Sequence, residues 1–255
     1  MSSWIIKQQK AISIKNGIFI EGLPGIGNVG KIVVDFIIEQ TNAEKIYDLF
    51  SYDLPNSVFV NEDNLVELPK IEVYYKKIGT NEFVFLSGDV QPSDERASYE
   101  FSEELIKLIK KTKCTKIITL GGIGMNEIPK QPRVFVTGSD EALRDSFTKA
   151  GADKNLFGVV GPVIGVTGLL LGLGKQENIP SAALLAQTYA HPIYLGLNGA
   201  KKIIKLLMKT YNIDLDLKEL NKEIKTFENN LLTGGEPHLR SVKNIKKLND
   251  TTYIG

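Results

Sequence analysis

The sequence predicts an α/β fold with a mainly parallel central sheet flanked by helices. Three observations carry this expectation. Short, wholly apolar segments such as 18–20 and 83–86 read as strands covered on both faces. They alternate with helical segments: Val29, Ile32, Val33, Phe36 and Ile37 follow the i, i+3, i+4, i+7, i+8 spacing of one buried face. Three strand ends open into glycine-rich loops at 22–30, 121–124 and 161–168. In parallel sheets such loops gather at the carboxyl edge, where ligands bind.

Residues 1–16 carry Trp4, Ile5, Ile6, Ile12 and Ile14 and are expected as an edge strand leading into the core strand 18–20. A turn with Gly22, Gly25, Gly27 and Gly30 follows, and then a helix with Lys31, Asp35 and Glu39 opposite its apolar face. Segments 45–49 and 57–60 read as strands around a Pro55-Asn56 turn, and 65–67 with 71–78 as a hairpin bent at Pro69. Strand 83–86 runs into Ser87-Gly88-Asp89-Val90-Gln91-Pro92. The helix at 95–111 buries Phe101, Leu105, Leu108 and Ile109, and strands are expected at 116–120 and 134–137. Ser139, Asp140 and Glu141 supply an N-cap and an acidic first turn to a helix ending near Gly151. A strand at 156–160 and a buried helix around Leu169, Leu170 and Leu171 come next. Segment 182–186 reads as a strand, with a helix start as the competing assignment.

From Asn198 the pattern is helical throughout. Ala200, Ile203, Ile204, Leu207, Met208 and Tyr211 form a stripe opposite Lys201, Lys202, Lys205 and Lys209. Asp216-x-x-Glu219 resembles a capping box. Leu217, Leu220, Ile224, Phe227 and Leu231 then take heptad spacing, the mark of an oligomer seam or of a helix covering its own sheet. Gly234-Gly235-Glu236-Pro237 breaks that helix. Residues 1–233 are therefore expected as one domain and 234–255 as a flexible tail ending in Tyr253, Ile254 and Gly255.

Hydrophobic residues make up 42% of the 255 and charged residues 24%, as in an ordinary globular protein. A net charge of +1, from 31 basic and 30 acidic residues, argues against nucleic-acid and anionic-membrane partners. The single cysteine, Cys114, rules out an intramolecular disulfide. With no signal-like start this points to a reducing cytoplasm. No apolar run approaches the roughly 20 residues that span a bilayer.

Chemistry is sparse. Gly25-x-Gly27-x-x-Gly30 satisfies a dinucleotide fingerprint, with Asp48 near the distance of its ribose-binding acid. Gly25-x-x-x-x-Gly30-Lys31 matches a P-loop until Ile32 replaces the Mg²⁺-binding hydroxyl, so that match fails on chemistry. Gly25, Gly27, Asn28, Gly30, Gly122 and Gly124 outline a possible pocket, and Glu21, Glu67 and Asp89 are acids able to meet at strand ends. His191 and His238 lie far apart, and no metal-ligand spacing or nucleophile elbow occurs. No cofactor is expected.

Several motifs in order do resemble a family. They are Gly22-Leu-Pro-Gly-Ile-Gly-Asn-Val-Gly30, Leu65-Val-Glu-Leu-Pro69, Gly88-Asp-Val-Gln-Pro92, Leu120-Gly-Gly-Ile-Gly124, Gly165-Val-Thr-Gly-Leu-Leu-Leu-Gly-Leu-Gly174 and Ala190-His-Pro-Ile-Tyr194. Over about residues 16–232 the chain is similar to the proteasome assembly chaperone family in its archaeal and bacterial single-subunit form. The resemblance implies a homo-oligomeric α/β scaffold that binds proteasome subunits, the α-subunits foremost, without ATP and without catalysis. It also implies a C-terminal peptide, here Tyr253, Ile254 and Gly255, that docks on the α-ring through a hydrophobic-Tyr-any-residue ending. This chain departs there, because Tyr253 is third from the end and Thr252 precedes it. The competing reading is an enzyme, or a protein that binds a nucleotide or another small ligand, using the glycine-lined pocket at the strand ends.

Overall fold

A computed structural model describes residues 3–61, 63–92, 94–156, 158 and 161–233. Its strands are β1 (Trp4–Gln8), β2 (Gly17–Gly22), β3 (Glu44–Ser51), β4 (Phe59–Val60), β5 (Val66–Glu67), β6 (Ile71–Ile78), β7 (Asn81–Gly88), β8 (Cys114–Met125), β9 (Val134–Gly138) and β10 (Ser181–Tyr189). Its helices are α1 (Val29–Thr41), α2 (Glu95–Lys111), α3 (Glu141–Ala150), α4 (Val166–Gln176), α5 (Leu197–Tyr211) and α6 (Lys218–Thr233). Eight strands form one sheet in the order β1-β3-β6-β7-β2-β8-β10-β9.

The α/β class holds, but the sheet is mixed rather than mainly parallel. Strands β7, β2, β8 and β10 pair in parallel at its centre. The outer pairings, β1 with β3, β3 with β6, β6 with β7 and β10 with β9, are antiparallel. The reason is local: β6 returns to β7 through the two-residue turn Gly79-Thr80, with Gly79 at φ 60, and so tight a turn joins only antiparallel neighbours.

Alternation along the central strands divides the core. Ile18, Ile20, Phe83, Phe85, Ile118 and Leu120 face α1, α3, α5 and α6. Their neighbours Phe19, Val84, Leu86 and Ile117 face α2 and α4. Each such side chain, fully withdrawn from water, contributes about 1.5–3 kcal/mol. Trp4 stacks on Phe101 at 4.1 Å between ring centroids, tying edge strand β1 to α2.

Three local expectations change. The segment 65–67 pairs with β4, not with 71–78, and makes a separate two-stranded arm between β3 and β6. Leu156 lies outside any strand, and the rest of the expected 156–160 strand includes residues 157, 159 and 160, outside the described set. Segment 182–186, by contrast, keeps its expected strand, inside β10. The heptad stripe is turned inward: Leu220, Ile224 and Phe227 are buried in the chain's own core, with Leu217 packed against it. Its apolar face thus packs into the chain's own core beside α5 and Tyr194, which leaves little of it for a seam between subunits; the Leu231 side chain lies outside the described set. The expected tail at 234–255 lies wholly outside it.

Candidate functional site at the carboxyl edge of the sheet

Strand β2 ends at Gly22, and the chain turns through a 3₁₀ turn at Ile26–Asn28 into α1. Gly27 (φ 62) and Asn28 (φ 49) both take left-handed backbone, which lets this turn fold flat onto the sheet. Side chains at the neighbouring glycines would collide with backbone. A Cβ on Gly30 would overlap the Leu120 carbonyl oxygen, and one on Gly122 the Ile26 carbonyl oxygen. At Gly27 it would meet Thr188, and at Gly124 the Ala190 methyl. At Gly25 it would meet nothing within 4 Å. Most of the glycine pattern therefore serves close packing of turn against β8 and β10, while Gly25 alone stands free to admit something else.

Gly25, Gly30, Gly122 and Gly124 do come together, lining a cleft of about 1000 Å³; Gly27 and Asn28 lie behind it. Its walls include Leu23, Val29, Leu120, Ile123, Leu169 and Leu185, and no lysine, arginine or histidine. Several polar groups along it are already engaged, while Glu95 stands exposed at its edge. Gln91 donates to the Pro24 carbonyl at 2.7 Å, and Asp94 accepts from the Ala97 N–H at 2.8 Å as the cap of α2. Beneath the cleft Glu21, fully buried, accepts from the Leu23 N–H at 3.0 Å and the Thr167 hydroxyl at 3.2 Å. Burial pushes its carboxyl up from 4.5 to about 7, against the pull of those hydrogen bonds.

The residues that would serve a nucleotide are placed elsewhere. Lys31 is 2% exposed, pairing with Asp35 at 2.9 Å and Asp89 at 3.7 Å, and lines a separate polar cavity of about 110 Å³. Ile32 is in the core. Asp48 sits on β3, with β6 and β7 between it and β2, and pairs with Lys45 at 3.0 Å. Of the three expected acids, two meet only around Lys70 and the third lies elsewhere. Glu67 binds the Lys70 ammonium at 2.6 Å and Asp89 accepts the Lys70 N–H at 3.1 Å, while Glu21 stands apart under α4. Cys114 is buried, and desolvation pushes its thiol up to about 11, the state of an inert core residue. His191 is exposed, its ring stacked on Tyr189 at 5.5 Å.

What the edge offers instead is apolar surface. Among the described residues twelve large apolar side chains are exposed, and all twelve lie at this one edge. Tyr52, Val58, Val60, Leu65, Val66 and Leu68 belong to the arm, which leaves β3 at Ser51 and rejoins β6 at Ile71, opposite Gly88 at the end of β7. Ile26, Tyr99 and Ile164 rim the cleft. Ile128 and Ile193 follow the ends of β8 and β10, and Ile5 lies beside Phe50 near the end of β3. Helix α6 also runs toward this edge, since Phe227 touches Tyr194 at 5.5 Å and Glu228 accepts from Asn198 at 2.9 Å. No single sequence window showed this polarity; strand direction and loop membership together would have.

Known proteins match this architecture. The model of the PAC2 family matches residues 19–232. An uncharacterised protein of Methanocaldococcus jannaschii is 29% identical over 84% of this chain and 81% of its own length. The crystal structure of Pyrococcus furiosus PbaB, an archaeal proteasome activator, superposes with a TM-score of 0.84 at 27% identity, covering 92% of this chain and 99% of that one. That of Pyrococcus furiosus PbaA, an archaeal homolog of proteasome-assembly chaperone, gives 0.72 at 23% identity over 89% and 94%, and shares the fold.

Proposed function

The chain belongs to the PAC2 family, and from that premise we propose that it is a non-enzymatic, ATP-independent assembly scaffold that works as a homo-oligomer and binds proteasome subunits, the α-subunits in particular. The observation that carries this reading is the gathering of every exposed large apolar side chain of the described chain at one sheet edge. Apolar side chains gathered at one edge in such number favour a protein-binding face. The resemblance to PbaB and PbaA supports the choice of partner. The cleft favours no anionic small molecule, because no cation lines it.

We extend the proposal to the C-terminal residues Tyr253, Ile254 and Gly255, which lie outside the described set. An aromatic-aliphatic ending with a free carboxylate suits a pocket on a partner, and several copies on one oligomer raise its effective concentration. Titration of α-subunit against the full chain and against a chain lacking residues 251–255, at matched oligomer concentration, tests this. Removal is expected to weaken binding tenfold or more, about 1.4 kcal/mol, with oligomer mass unchanged. Equal affinities would move the contact to the body of the protein. A melting-temperature shift with ATP or NAD would restore the nucleotide reading, since ligand at 100 times its Kd stabilises by about 2.7 kcal/mol.

A further inference from the structure

We propose that the arm of one copy, described over residues 52–61 and 63–68, seats in the carboxyl-edge cleft of a second copy, and that this joint builds the oligomer. The proposal rests on the scaffold reading above and assigns the self-association surface which that reading leaves open.

The arm needs a cover that its own chain does not provide. Its strands β4 and β5 are two residues long, joined only to each other. A lone two-stranded hairpin is marginal in water. Yet Val60, Leu65 and Val66 remain 63, 63 and 69% exposed. Six large apolar side chains, each more than half exposed, offer on the order of 500 Å², near the largest patch that monomeric proteins keep. Solvent is an unfavourable neighbour for such a projection, and another protein surface a favourable one.

The cleft is a matching recess. It holds about 1000 Å³, has apolar walls, and is rimmed by Ile26, Tyr99 and Ile164, which are 51, 52 and 83% exposed. Filling it with the arm would bury a similar area on each side. The total, about 1,000 Å², meets the lower bound for a specific interface. The cleft is lined by two carboxylates, Asp94 and Glu95, and the arm exposes Asp53 and Asp63, so the joint should tighten as salt screens these like charges.

Geometry sets the symmetry. The arm is rooted on β3 and β6, whereas the cleft lies over the ends of β2 and β8, with β7 between. Projection and recess are therefore different patches of one face. Their contact is head-to-tail: each copy gives one arm and receives one, and such contacts make a ring when the rotation between copies closes and an open filament when it does not.

Light scattering on the full chain tests this, with circular dichroism checking the fold. The arm variant carries Val60→Asp with Val66→Asp, and the cleft variant carries Ile164→Asp, replaced by Tyr99→Glu should it unfold. Each is expected to fall to monomer mass. Mixed in equal amounts they should recover a dimer of one copy each, because one intact arm then meets one intact cleft. Four results would overturn the joint: a wild-type chain monomeric at every concentration tested, a folded variant that keeps the wild-type mass, a mixture that stays monomeric, or loss of assembly on removing residues 234–255 alone, which would assign the cleft to that segment. Titration of α-subunit separates this from the functional reading. A wild-type chain that assembles but binds no α-subunit, with both variants still breaking assembly, would support the joint and remove only the proteasome partner.

Discussion

The two edges of the sheet are built on opposite principles. At the amino edge four helices close the same way, each followed by a residue in left-handed backbone: Asn42 after α1, Lys113 after α2, Asn178 after α4 and Asn212 after α5. Such residues let the chain reverse within a few positions and satisfy the last helical carbonyls. Asn42, for instance, returns its N–H to the carbonyls of Glu39 and Ile38. No large apolar side chain is exposed there among the described residues. The carboxyl edge carries the longer excursions, the cleft and all the exposed apolar surface. The amino edge shows how a fold is closed by local chemistry. The carboxyl edge leaves its apolar surface unclosed, and it is there that the proposed partners would seat.

The largest effect should come from breaking the one place where the carboxyl edge is as tightly closed as the amino edge. Gly30→Val forces a branched side chain against the Leu120 carbonyl oxygen, a backbone atom fixed in the central sheet. Urea unfolding should show a loss of about 3 kcal/mol. Gly25→Ala, with open space around it, should stay within about 0.5 kcal/mol of wild type. Equal losses would mean that the turn is held by something other than glycine packing.

Next is the charge hidden under the cleft. The folded chain holds a proton on Glu21 up to about pH 7, chiefly because burial disfavours the carboxylate, while the unfolded chain releases it near 4.5. Between those values the unfolded state binds fewer protons, so stability falls as pH rises, with the full loss reached above pH 7. It amounts to about 3 kcal/mol. Glu21→Gln should therefore raise the melting temperature at pH 8 and leave it nearly unchanged at pH 4.5. A variant no more stable at pH 8 would show the carboxylate to be solvated after all.

Smaller effects sharpen the contrast between the edges. Asn42→Ala puts an alanine into left-handed backbone and should cost about 1 kcal/mol in thermal or urea unfolding, with Asn42→Gly close to neutral. Val66→Ser on the arm should change the stability of dilute protein by less than about 0.5 kcal/mol, since Val66 is already in water. An arm substitution that unfolded the dilute chain would make the arm part of the fold rather than part of an interface.

What could be read from the chain tracks this division. The helix at 95–111 was legible to the residue, because Phe101, Leu105, Leu108 and Ile109 repeat at helical spacing and all are buried. Segment 71–78 was legible as a strand from its alternation, but its partner was not. Pro69 suggested a bend back to 65–67, whereas the two-residue Gly79-Thr80 turn binds it to β7. The stripe on α6 had a clear period and an ambiguous addressee, since heptad spacing suits a neighbouring subunit and the chain's own sheet alike. At the site, the glycine pattern gave the position of the cleft but suggested a phosphate. Only the placement of Lys31 between Asp35 and Asp89 shows that its charge is already answered. The apolar edge was least legible, because Ile26, Tyr99, Val66 and Ile164 are scattered in sequence and meet only through strand direction.

The roots of the arm have a consequence for how such proteins diversify. Leu49 and Ile71 face each other across a direct ladder between β3 and β6, so the sheet is sealed before the excursion begins. Beyond Ser51, the last residue that β3 pairs with β1, the arm up to Leu68 can be lengthened, shortened or rewritten without disturbing a strand pairing in the main sheet. It behaves as an interchangeable fitting on a fixed chassis: a change in arm length or side chains would alter what the edge presents to a neighbour, while the fold beneath stays the same.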